Sequence, residues 1–180
     1  MKNKVYLALA LLITLTAAVL VVRAQQQQQP KAQPSGNTNG MAGMDMNEMN
    51  RRGNRVMGFD HAKTTHHFRL LPDGGAIEVE ANSAADTVSR DQIRMHLGHI
   101  AKMFTTGNFN APMLIHDQTP AGVPVLQRLK TQINYKFEET PRGGRVRIST
   151  SSAEALRAVY EFLRFQIKEH KTGDTLEVSK

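Results

Sequence analysis

Apolar side chains along this chain recur at two periods, and the alternation between the periods outlines the fold. In S-R-D-Q-I-R-M-H-L-G-H-I-A-K-M-F, Ile93, Leu97, Ile100 and Phe104 fall at helical spacing. Ser89 followed by Gln92 offers a capping box, so the spacing predicts an amphipathic helix running from Arg90 to about Phe104. A second helix is predicted after Ser151 and Glu154, carrying Leu156, Val159, Tyr160, Leu163 and Ile167 to a stop at Gly173.

Each predicted helix is preceded by a two-residue alternation. Phe68 and Leu70, the turn Pro72-Asp73-Gly74-Gly75, then Ile77 and Val79 describe one hairpin. Ile133, Tyr135 and Phe137, the turn Pro141-Arg142-Gly143-Gly144, then Val146 and Ile148 describe another. Between the halves, G-N-F-N-A-P-M-L-I-H-D-Q-T-P-A-G is rich in Pro and Gly and reads as irregular, and Pro124 suits the first turn of a short helix with Val125, Leu126 and Leu129. The order ββαββα implies an α+β two-layer sandwich, a four-stranded antiparallel sheet with both long helices on one face. Aligning Gly74-Gly75 with Gly143-Gly144 matches Ile77 to Val146 and Val79 to Ile148, the pattern of an internal duplication.

Flanking segments set the domain limits. Lys2 and Lys4 precede an apolar run from Val5 to Val22, and Val22-Arg23-Ala24 resembles a cleavage site, so residues 1–24 read as a signal peptide or a retained N-terminal anchor. Residues 25–56, Gln-, Pro- and Met-rich, read as a disordered tether. Residues 57–174 are long enough for one modest core, and 175–180 form a tail.

Composition narrows the function. The chain has no Cys, which excludes disulfides, thiolate metal sites and lipoprotein attachment. The formal charge is +7; subtracting Lys2, Lys4 and Arg23 from the 23 basic residues leaves 20 against 16 acidic ones, a mild excess that argues against nucleic acid as a partner. Membrane contact is expected only if the N-terminal segment is kept as an anchor.

The segments M-G-F-D-H-A-K-T-T-H-H-F (Met57 to Phe68), I-R-M-H-L-G-H-I-A-K-M-F, P-M-L-I-H-D-Q-T-P-A-G-V-P (Pro112 to Pro124) and F-L-R-F-Q-I-K-E-H-K-T-G-D (Phe162 to Asp174) together resemble a family of small exported bacterial proteins. The resemblance covers the folded region and implies no particular activity. Similar chains sometimes carry the name aspartate carbamoyltransferase. This one is far shorter than such a catalytic subunit and has no Ser-Thr-Arg-Thr phosphate loop.

The candidate chemistry lies in soft and borderline metal ligands. His96, His99 and Met103 share one flank of the first helix, and His66, on the inward face of its strand, would meet them if that helix packs over the strand end. With the His116-Asp117 pair they would form a mixed nitrogen, sulfur and oxygen site, since imidazoles three residues apart on a helix can hold one ion. In the tether, Met41, Met44, Met46 and Met49 are spaced as thioethers that take Cu(I). His170, in the last turn of the second helix, is explained by the helix dipole, and Asp60, Lys63, Thr64 and Thr65 by loop capping. The leading expectation is therefore an exported, periplasmic metal-binding protein that handles copper as Cu(I) or Cu(II), with zinc as the alternative ion. A second is a non-catalytic ligand-binding or interaction module, bound to a periplasmic protein or a homodimer through Phe162 and Phe165, which lie away from the Leu156-Leu163-Ile167 stripe and either form that contact or cover the Pro124 helix. An enzyme ranks third, because no nucleophile elbow or phosphate loop is present.

Overall fold

The alternating stretches fold as two antiparallel hairpins in the computed structural model, which describes residues 46–179. Strands β1 (Thr64–Leu71) and β2 (Gly74–Ala81) form the first, β3 (Ile133–Thr140) and β4 (Gly143–Thr150) the second. The sheet order is β1-β2-β4-β3, so the second strands of the two hairpins pair antiparallel at the centre. There Ile77 faces Val146, Gly75 faces Ile148 and Val79 faces Gly144. The duplication alignment equates these same residues, so an approximate two-fold axis passes through the Ile77–Val146 pair.

Five α-helices complete the described residues: α1 (Met46–Met57), α2 (Thr87–Thr105), α3 (Asn110–His116), α4 (Val123–Arg128) and α5 (Ala153–His170). The two long ones, α2 and α5, cover one face of the sheet, giving the α+β sandwich that the hydrophobic pattern implies. Each long helix lies chiefly over the hairpin of the other half, α2 over β3 and β4, α5 over β1 and β2. Along β1 the inward residues Thr64, His66, Phe68 and Leu70 are buried, whereas Thr65 and Arg69 are exposed.

Several elements differ from their sequence expectation. Helix α2 begins at Thr87, capped by Asp86, whose carboxylate accepts from the Ser89 backbone N–H at 2.9 Å and from the Ser89 hydroxyl at 2.7 Å. Asp86 outcompetes Ser89 as the cap because it satisfies both donors. Helix α5 is capped by Ser152 rather than Ser151. The Pro-rich connection contains α3; Pro112 sits in its first turn, where no intrahelical N–H is needed. Asp117 then ends that helix in the left-handed conformation, at φ 54°. Helix α4 rests on α5 because Gly122, at φ 82°, lacks a Cβ that would collide with the Ala158 carbonyl.

Two expectations are corrected here. The tether was expected to run to residue 56, yet Met46–Met57 is helical and Met49, only 1 % exposed, packs into the core. Arg52 holds this helix to α3 by donating from Nε to the Ile115 carbonyl at 2.9 Å. The rest of the tether and residues 1–24 lie outside the described residues. Phe162 is not open to a dimer contact, and Phe165 is half-buried, edge-on to His116. Phe162 is 1 % exposed and meets Phe104 and Phe109 edge-on, because α5 buries a stripe of Ala155, Ala158, Val159, Phe162, Leu163, Gln166 and Ile167.

Beyond α5 the chain turns back along the outer edge of β1. Asp174 accepts from the Phe68 N–H at 2.9 Å, pairs with His67 Nδ1 at 2.9 Å, and is followed by Ser179, whose N–H donates to the Leu70 carbonyl at 3.0 Å. Among the described residues no helix is long and apolar enough to cross a membrane.

Candidate functional site

Four elements bring imidazoles to one place. His66 comes from β1, His96 from α2, His116 from the last turn of α3 and His170 from the last turn of α5. All four line a cavity of about 60 Å³ between the long helices and the sheet, together with Met57, Gln166 and an apolar wall that includes Phe68, Val79, Ile100 and Ile115.

The rings form a row. His61, half-buried at the rim, lies 5.3 Å from His66 between ring centroids. His66 stacks on His170 at 5.6 Å with an interplanar angle of 14°, and His170 meets His116 edge-on at 5.0 Å. Phe59 packs between His66, at 6.0 Å, and His96, at 5.6 Å.

Burial leaves much of this polar surface unpartnered. His116 Nε2 pairs with Gln166 Oε1 at 3.0 Å. Both ring nitrogens of His66, Nδ1 of His116, Nδ1 of His170 and Nε2 of Gln166 are buried without a hydrogen bond. Such groups are uncommon in a folded interior, and here they concentrate around one cavity.

The imidazoles are also held neutral. Burial, reinforced by His61, His96 and His67, pushes the His66 pKa down to about 3. Burial and the neighbouring His99 push His96 to about 4. His170 lies well below its ordinary value through burial and the nearness of His66, His116 and His61. His116 is lowered by burial and by Arg52, against the opposing pull of the Gln166 bond and Glu169; His61 is lowered by burial against Asp60. Neutral imidazole is the form that ligates metals.

Of the residues singled out from the sequence, His66, His96 and His116 line the cavity together. His99 is exposed on the outer side of α2, and Met103 is half-buried against the core; neither lines the cavity. Asp117 is exposed, so the partner that orients His116 is Gln166. Met41 and Met44 lie outside the described residues, as does the side chain of Met46, and Met49 is a core residue. His170 and Met57 are the functional candidates that sequence reasoning missed. The helix dipole accounted for His170, and Met57 was taken only as a domain boundary; the available signal was that His170 continues the helical spacing of Leu163 and Ile167. Asp60 and Thr64 are loop caps, Asp60 accepting from the Ala62 N–H at 2.9 Å.

Among the described residues no three His, Asp or Glu side chains already converge on a point that could hold an ion. Compared with known proteins, the chain matches no family model, no curated protein and no solved structure.

Proposed function

We propose that this is an exported metal-binding protein that handles copper, with the ion held in the cavity lined by His66, His116 and His170. One observation carries the reading: four buried ring nitrogens on three neutral imidazoles, all without hydrogen-bond partners, surround a single cavity. Neutral nitrogen donors suit copper and zinc, and the Met41, Met44 and Met46 spacing supports copper as the cargo. Export is supported by Lys2, Lys4 and the Val5 to Val22 apolar run, and periplasmic fractionation of the expressed full chain tests it.

Competition titration of the chelator-stripped chain with Cu(I), Cu(II) and Zn(II) tests the metal. The expected result is one ion per chain in this cavity, with affinity at least tenfold weaker in His66→Asn and in His170→Asn. Absence of binding at micromolar metal, or binding indifferent to both substitutions, overturns the proposal.

A further inference from the structure

The chemistry of the cavity wall goes further than the presence of imidazoles, because it constrains the charge of the occupant. We infer, resting on the metal reading above, that the cavity accepts a monovalent soft cation, Cu(I) or its analogue Ag(I), and rejects divalent ions. Its donors are neutral: the nitrogens of His66, His96, His116 and His170, the amide of Gln166 and the thioether of Met57. No Asp or Glu lines it. Two carboxylates act on the row from outside the lining, Asp60 on His61 and Glu169 on His116, and Arg52 opposes the latter with positive charge.

Two physical arguments agree. The cost of moving an ion into a poorly polarisable interior grows as the square of its charge, so without a carboxylate to compensate it a dication is penalised about four times as heavily as a monocation of similar size. Imidazole serves Cu(I) and the borderline dications alike, so the preference comes from the thioether of Met57, a soft ligand that favours Cu(I), 7 % exposed and lining the same cavity.

The test uses the full chain and reads the imidazole ring signals of His66 and His170 by NMR, which the N-terminal methionines do not share. The probes are Ag(I), Cu(I) under reducing conditions, Cu(II) and Zn(II), each alone. Ag(I) and Cu(I) are expected to shift both rings at one equivalent, at least 100-fold more tightly than Zn(II), and Met57→Leu to weaken Ag(I) at least tenfold while the protein stays folded by circular dichroism. Equal occupancy by Zn(II) or Cu(II), or an Ag(I) affinity unchanged in Met57→Leu, overturns the charge assignment and leaves the metal reading standing. If no probe moves either ring, both fall.

Discussion

His66 shows how one side chain records a conflict between stability and use. Its ring is buried on the inward face of β1 with neither nitrogen bonded, a placement in which an apolar residue would serve the core better. The strand alternation announces that His66 points inward; it does not announce that His170 arrives above it, because that requires knowing where a helix eighteen residues long ends. The lowered pKa values have a consequence for the metal-free protein. An unfolded chain takes up protons on these imidazoles as pH falls through about 6.5, whereas the folded chain withholds them from His66 until about pH 3 and from His96 until about pH 4. The unfolded state thus binds more protons throughout that window, and stability falls as pH falls. Urea unfolding is expected to give a flat midpoint above pH 7 and a progressive decline from pH 6.5 to pH 4; a midpoint unchanged across that range contradicts the burial of these rings.

At the scale of elements, legibility followed the strength of the local signal. Both hairpins and both long helices were readable from period alone, since Phe68, Leu70, Ile77 and Val79, and likewise Ile93 to Phe104, keep strict spacing. Helix α3 was hidden because Pro112 and Pro120 suggest irregular chain, although proline in a first turn is harmless. Helix α1 was hidden because its polar composition leaves only a thin stripe, Met49, Gly53 and Met57 buried with Val56 packed beside them. The buried stripe of α5 was misread because Ala155 and Ala158 mark it only faintly, which left Phe162 apparently off to one side. The structure makes Phe162 a central contact, stacked edge-on against two other phenyl rings. Phe162→Ala is therefore expected to destabilise the fold by about 3–5 kcal/mol, measured by denaturant unfolding. A loss under about 1 kcal/mol contradicts its central place in the core.

Across the whole molecule, the returning C-terminal segment covers an edge that would otherwise be free. Asp174 satisfies the Phe68 N–H and Ser179 the Leu70 carbonyl, so β1 presents fewer unpaired groups to another strand. The Asp174 carboxyl is lowered: burial opposes this, but the bonds from Thr172, Phe68 and His67 outweigh it. Deleting residues 173–180 is expected to cost about 1–3 kcal/mol and to raise concentration-dependent association, read by unfolding and light scattering. A truncated chain as stable and monodisperse as the full one shows that the segment contributes nothing.

The crossing of the long helices reaches furthest. Because α2 shelters the hairpin of the second half and α5 that of the first, neither half contains its own lid. Taken alone, a ββα half would leave most of its sheet face and its helix bare, so two separate halves would cover each other only by interlacing. The alignment that equates Gly74 with Gly143 sets His66 against Tyr135, so the matched inward position carries an imidazole facing the cavity in one half and a phenol ring in the other.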